Sequence, residues 1–296
     1  MKKLKDEKKF RVFATIVLTV LTLVTLLPIV LIVIASFTDE KALISNGYSY
    51  FPKAWSLNAY YYMINQGKLI LRAYGVTLFV TAIGTITSVL ITTMLAYPIS
   101  RKNFKYKNIL SFFIFFTMLF NGGIVSSYMM WTNIFSIKNT IWALVLPNYL
   151  VTAFNVFLVR NYYVNNVPES IIESAQIDGA TELRIFWKII IPLSVPTVAT
   201  ISLFTALIYW NDWLNGLYYI TKSEYFGIQN LLIKIMNNVQ FLKSGSSNFL
   251  GLGNMNLPGT SVRMAMAVIG ILPILIIYPF IQKYFIKGVV VGAIKG

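Results

Sequence analysis

Residues 173–192 read ESAQIDGATELRIFWKIIIP. The stretch holds three acids, two bases, a glycine and a closing proline, yet long apolar runs lie on both sides of it. Its periodicity is helical. Pro168 suits a first helical position, and Glu169 and Glu173 favour the positive N-terminal end that follows. Ile171, Ile172 and Ala175 share one face. Asp178-Gly179 is a stop or turn signal. Thr181 can cap a second helix. Leu183, Phe186, Trp187 and Ile190 then fall at i, i+3, i+4 and i+7, an apolar stripe. Pro192 and Pro196 end the segment and start the next. The spacing predicts two short amphipathic helices joined at Gly179. Such a unit can rest one face on a membrane surface or insert a face into the groove of a soluble partner.

The rest of the chain says which kind of protein carries this segment. Of its 296 residues 57% are hydrophobic and only 12% charged, and the mean hydropathy is +0.68. A soluble domain carries about 25% charged residues, so too little polar surface remains to cover a water-soluble body. The composition implies an all-α polytopic membrane protein. Cysteine and histidine are absent. That excludes disulfides, thiolate or imidazole metal sites and the usual neutral-pH acid–base group.

Six apolar stretches are long enough to cross a bilayer, which takes about 20 residues. They run over 11–37, 73–99, 109–131, 140–160, 194–220 and 263–286. The N-terminal run exceeds the length of a signal-peptide core and reads as a retained first span. Thr77, Thr81, Thr85, Ser88 and Thr92 form a small polar stripe on the second span, suited to close helix packing or to lining a pathway. No internal repeat or low-complexity tract divides the chain, which reads as one transmembrane domain over 1–296.

Lysine and arginine set the orientation. With the N-terminus inside, the inner segments carry sixteen of these residues and the outer ones nine. Cytoplasmic loops gather positive charge, so both termini are expected in the cytoplasm, as is the loop 161–193. The net charge of +15 is then mainly topology, and nucleic acid is not an expected partner. Two outer loops, 38–72 and 221–262, are long. The first carries YSYFPKAWSLNAYYYM (residues 48–63), an aromatic cluster that suits a lipid interface or a docking partner. The second is rich in Gly, Ser and Asn.

Polar groups at membrane depth are few. Asp212 is the only acid within a predicted span, near its outer end, flanked by Trp210, Asn211 and Trp213. Aromatic faces beside amide and carboxylate groups suit sugar rings; they also suit an interfacial tryptophan belt with a helix–helix hydrogen bond. Asn155 can bind helices together. Asn121, before Gly122 and Gly123, can break or bend one. A stand-alone secondary transporter or channel needs an ion-coupling acid within the bundle, and Asp212 alone serves poorly. Paired acids that would mark a membrane enzyme do not converge in the spans.

The opening stretch resembles the EAA loop of ABC importer permeases. Glu173-Ser174-Ala175 is followed after three residues by Gly179, and after nine more by Ile189-Ile190-Ile191-Pro192. Ser174 replaces alanine and Ile191 replaces leucine, both small changes in volume. FNGGIVSSYMMW (Phe120–Trp131), YFPKAWSLNAYYYM (Tyr50–Met63), YWNDWLNGLYYI (Tyr209–Ile220) and the tail FIKGVVVGAIKG (Phe285–Gly296) resemble carbohydrate permeases of the maltose-transporter type, in particular second permeases of polysaccharide and oligosaccharide importers.

The resemblance implies a six-span importer permease fold and no covalent chemistry in this chain. It implies that the loop, through Glu173, Ser174, Ala175, Asp178, Gly179, Ile189 and Pro192, docks in a cleft of a separate ATPase. The chain has no G-x-x-x-x-G-K-[ST] phosphate loop, so it has no cofactor of its own; ATP and magnesium would be held by that ATPase. The implied partners are a second homologous permease, an ATPase dimer, an extracellular solute-binding protein, membrane lipid and a carbohydrate substrate. The tail residues Ala293, Ile294, Lys295 and Gly296 would touch the ATPase; a frayed end is the ordinary reading of such a terminus. Loop 221–262 would reach toward the binding protein. A permease for amino acids or peptides is the alternative within the class.

Overall fold

The computed structural model describes residues 2–243 and 259–293. Among the described residues all regular structure is helical, save one antiparallel bridge between Thr38 and Trp55. The chain divides into two compact units, Met1–Leu69 with Leu232–Ile274, and Ile70–Leu231 with Leu275–Gly296.

In the first unit, α1 (Lys2–Ser36) is apolar all round beyond Arg11, and none of its most apolar 18 residues is buried; burial begins only at Ala35 and Ser36. A helix of that kind needs lipid or protein as its solvent. Past its end the chain is tied down by side chains. Phe37 stacks on Tyr60 with centroids 4.7 Å apart, and the Ser36 and Tyr60 hydroxyls lie 2.8 Å apart. Asp39 caps α2 (Glu40–Asn46), accepting from the Lys41 amide at 3.0 Å. α3 (Asn58–Asn65) carries Tyr60.

The second unit holds most of α4 (Gly67–Ser100) and then α5 (Lys107–Leu119) and α6 (Gly123–Met129), which runs into a π turn at Met130–Ile134. Next come α7 (Trp142–Val145), α8 (Ala153–Asn166) and α9 (Glu169–Ile177). α10 (Glu182–Ile185) passes through a π turn, Phe186–Ile190, into α11 (Ile191–Leu193). α12 (Val195–Trp210) and α13 (Leu214–Tyr219) follow, and α14 (Ile228–Lys243) passes from this unit into the first at Leu232. The last helix, α15, is Thr260–Ala293.

All six apolar stretches fall largely on helices; the first, second and sixth are unbroken, within α1, α4 and α15, and among the described residues the first two are long and apolar enough to cross a membrane alone. The third is broken at Phe120, whose backbone is extended; Asn121 Oδ1 accepts from the Gly123 amide at 2.9 Å and Gly123 takes φ +78°. The helices on either side meet at 114°. The fourth, expected over 140–160, is not one helix. α7 stops before Pro147, Asn148 takes φ +69°, and α8 starts at Ala153 and runs past 160 to Asn166. The fifth bends by 82° at Ser194, between Pro192 and Pro196, and ends in a turn at 211–213 before α13. Each proline removes a donor from the helical ladder.

The stripe on α4 packs. Thr77, Ser88 and Thr92 are buried and Thr81 and Thr85 half-buried, with Gly84 buried beside them. Thr77 Oγ1 accepts from the Ile228 amide at 2.8 Å, and Ser88 Oγ donates to the Tyr149 carbonyl at 3.2 Å. A continuous core joins Ala96, Tyr97 and Ile99 of α4 to Val156, Val159 and Tyr163 of α8. Ile172, Ile185, Phe186 and Ile190, from the loop quoted at the outset, complete it together with Ile201 of α12.

Candidate functional site

That loop is two helical pieces hinged at Gly179. Pro168 flanks the first piece rather than opening it: its ψ of 129° is extended, and α9 starts at Glu169. Glu169 pairs with Lys102 from the turn after α4, and this contact raises the lysine's pKa above its ordinary value. α9 ends in a Schellman arrangement. The Ala180 amide donates to Ala175 O at 2.9 Å and the Gly179 amide to Gln176 O at 3.0 Å. Gly179 itself sits at φ +76°, a region that costs other residues energy. Thr181 caps the second piece, its hydroxyl accepting from the Arg184 amide at 3.4 Å.

The expected apolar stripe does not act as one surface. Phe186 and Ile190 are buried with Ile185, but Leu183 is 65% exposed and Trp187 50%. A π turn follows Leu183 within the stripe. Pro192 has no N–H, and the Ile191 amide reaches five residues back to Phe186 O. The wider turn shifts the helical phase within the stripe. On α9 likewise, Ile172 is buried, whereas Ile171 is exposed and Ile177 is 86% exposed. Glu173, Ser174, Asp178, Gly179 and Pro192 face outward, and Ala175 and Ile189 are half-buried. The loop thus keeps one apolar face in the core and leaves Ile171, Ile177, Leu183 and Trp187 exposed.

The polar residues of the spans separate into several roles. Asn155, buried on α8, donates to Thr205 Oγ1 of α12 at 3.5 Å, a helix–helix link. Asn121 holds the bend between α5 and α6. Trp210 is buried, with its ring 6.4 Å from that of Tyr74. Asn211 bonds back to Leu207 O at 2.8 Å. Asp212 Oδ1 accepts from the Leu214 amide at 3.1 Å, the Asn215 amide at 3.2 Å and the Tyr149 hydroxyl at 3.2 Å. It fixes the start of α13 onto the break after α7. Trp213 is exposed.

The residues around this acid escaped the reading of the sequence. Asn215 is buried, donates to Pro147 O at 3.2 Å and accepts from Asn148 Nδ2 at 3.2 Å. Asn230 donates to Trp213 O at 2.6 Å. The available signals were the dipeptides Pro147-Asn148 and Asn215-Gly216, turn chemistry inside apolar runs. Of the tail residues, Ala293 ends α15, while Ile294, Lys295 and Gly296 lie outside the described residues. So does the centre of loop 221–262, at 244–258.

An all-helical chain with broken apolar spans and a hinged amphipathic loop set into its core is a membrane component of a transporter. The family described as "Binding-protein-dependent transport system inner membrane component" matches residues 88–291, and the chain belongs to it. It is thus a bacterial membrane protein, the permease component of an ABC importer, and membership implies an ATPase, a binding protein and a second permease as partners. It is 37% identical to the polygalacturonan/rhamnogalacturonan transport system permease protein YtcP of Bacillus subtilis (strain 168), over 90% of this chain and 91% of that protein. Protein LplC of the same organism is 35% identical over 90% of this chain and 88% of its own length. Among solved structures, a bacterial ABC transporter involved in the import of the acidic polysaccharide alginate superposes with a TM-score of 0.77. The two are 28% identical, over 95% of this chain and 98% of that one.

Proposed function

We propose that this permease imports oligosaccharides and that the loop 161–193 is its contact with a separate ATPase. Both termini and this loop are cytoplasmic, following the distribution of lysine and arginine. Two ATPase copies hold ATP and magnesium and carry out the hydrolysis. One of them receives the outward face of the loop, with Glu173, Ser174, Ala175, Asp178 and Gly179 along its rim; Ile189 and Pro192 set the second helical piece behind it. The tail residues Ala293 to Gly296 reach the same partner. A second homologous permease completes the membrane path, and an extracellular binding protein delivers the solute. Closure of the ATPase dimer on ATP moves the loop and opens the cavity outward; hydrolysis resets it.

The observation that carries the coupling role is the exposed apolar set Ile171, Ile177, Leu183 and Trp187 on a segment whose other face is locked in the core. Such a surface needs a protein or lipid partner. The sugar assignment is supported by the polysaccharides for which YtcP and the alginate transporter are named. Exposed Asn211 and Trp213, near Asp212, are the pathway groups offered to a sugar, while Asn121, Asn155 and Trp210 shape the helices behind them. The test is co-purification of tagged protein from detergent-solubilised native membranes, with mass spectrometry of what elutes. Recovery of an ATPase, a second permease and a sugar-binding protein supports the reading. Recovery with an amino-acid- or peptide-binding protein overturns the substrate class, and recovery of this chain alone overturns the assembly.

A further inference from the structure

The coupling loop meets α4 at a polar contact on the edge of an apolar core, where Tyr97 is buried and Glu182 exposed. The Tyr97 hydroxyl, on the last turns of α4, donates to Glu182 Oε2 at the start of α10. The other carboxylate oxygen of Glu182 accepts from Gln176 Nε2 of α9 at 2.8 Å. Glu182 therefore joins both halves of the loop, across the Gly179 hinge, to one buried tyrosine. We propose that the Tyr97–Glu182 hydrogen bond is the strut that carries the movement of the loop into α4, with Tyr97 and Glu182 as positioning residues; this rests on the coupling role proposed above.

The neighbouring contacts are less suited to carrying that movement. The Lys102–Glu169 pair is largely exposed on the lysine side, and surface ion pairs hold little. The Tyr97 and Phe186 rings meet at a tilt with centroids 5.5 Å apart, and apolar packing is non-directional, so it lets surfaces slide. A hydrogen bond to a carboxylate is directional and about twice as strong as a neutral one. Packing does not back it up on one side. A cavity of about 420 Å³ flanks the contact, lined by Met94, Pro98, Arg101, Phe104 and Leu183 as well as the bonded residues. Arg101 faces this cavity, and among the described residues it forms no ion pair with Glu182. Without the tyrosine hydroxyl, Glu182 has room to swing toward it.

The chain's lack of cysteine makes the test direct. Spin labels are placed on Leu90→Cys of α4 and Ser170→Cys of the loop, both exposed and neither in the proposed ATPase contact, in the complex recovered with its ATPase and second permease, these made cysteine-free. The distance is read with and without magnesium, ATP and vanadate. In the parent chain the expected distance is unchanged by nucleotide, because loop and α4 move together. In Tyr97→Phe, which keeps the ring, and in Glu182→Ala, nucleotide shifts the distance; in Glu182→Gln, which keeps an acceptor, it does not. A nucleotide-dependent shift in the parent chain, or none in Tyr97→Phe, overturns the strut while leaving the coupling role standing. Absence of ATP hydrolysis by the complex, or no loss of it when Ile177 and Leu183 are both changed to alanine, overturns the coupling role itself.

Discussion

Gly84 of α4 lies flat against the ring of Tyr209 on α12. A Cβ at position 84 would stand 2.5 Å from Cζ of that ring. The ring has no easy escape, because its hydroxyl donates to Val145 O at 2.8 Å and it meets Tyr149 edge-on at 5.5 Å. Gly84→Ala is expected to overpack this junction and cost about 1–3 kcal/mol. Thermal unfolding of the purified chain in detergent checks it. Gly84→Ala combined with Tyr209→Leu should recover part of the loss through the space it opens, and a further loss in the double variant would show that the ring is not what the new methyl meets.

Gly179 poses the opposite case. No heavy atom outside its own neighbours lies within 4 Å of a Cβ built there, so a substitution meets open space. Its cost is backbone strain alone, roughly 1–2 kcal/mol for an ordinary residue at positive φ. Gly179→Val is expected to distort the hinge and uncouple uptake from ATP hydrolysis while membrane insertion stays intact. Gly179→Asn, which tolerates this conformation, should behave nearly as the parent. Uptake per ATP hydrolysed in reconstituted vesicles separates the two, and equal coupling in all three would remove the hinge from the mechanism.

Helices and loop were legible in the sequence for different reasons. Long apolar runs such as 73–99 can be little else than helices. The loop is legible because Gly179 turns the chain, Thr181 caps the second piece and Pro192 ends it, each through chemistry local to its own position. What the sequence concealed was where helices break. Pro147 is tolerated inside many membrane helices, so the dipeptide Pro147-Asn148 does not by itself decide that the chain turns at Asn148. That depends on Asn215, some seventy residues on, which satisfies the freed Pro147 carbonyl. The exposed half of the loop's stripe was hidden for a similar reason. The π turn at Phe186–Ile190 interrupts the 3.6-residue periodicity, which no longer predicts which of the later side chains face the core.

Asp212 distinguishes a structural carboxylate from one that touches solute. It gathers two amides and the Tyr149 hydroxyl on one oxygen, the arrangement of a helix cap. Asp212→Ala should lose about 1 kcal/mol of stability. Asp212→Asn keeps the acceptor and should lose less. If Asp212→Asn matches the parent in thermal unfolding and also in solute uptake, the acid is a cap. Normal stability with lost uptake would give it a direct part in the pathway.

The Asn155–Thr205 pair tests how much an amide contributes between α8 and α12. Intramembrane hydrogen bonds average about 0.6 kcal/mol, and at 3.5 Å this one is long. Asn155→Ala and Thr205→Ala should each cost little, and the double variant should cost less than their sum, by no more than that average. A larger coupling energy in this cycle would mean that the two helices close further on one another in the working protein.

At the start of α15, the Glu40 carboxylate accepts from the Thr260 amide, the Ser261 amide and the Ser261 hydroxyl, each at 2.8 Å. These donors belong to a helix N-terminus, where the first amides lack partners within the helix and the dipole favours negative charge. The first residue of α2 thus acts as a cap more than two hundred residues away in sequence. Glu40→Ala removes both the acceptors and the charge, at a cost of about 1–2 kcal/mol; Glu40→Gln keeps one acceptor and loses the charge, and should fall between. Hydrogen exchange reads this locally. The amides of Thr260 and Ser261 should exchange faster in Glu40→Ala, with those of α8 unchanged. Unchanged exchange at both amides would mean that the start of α15 is held by packing alone.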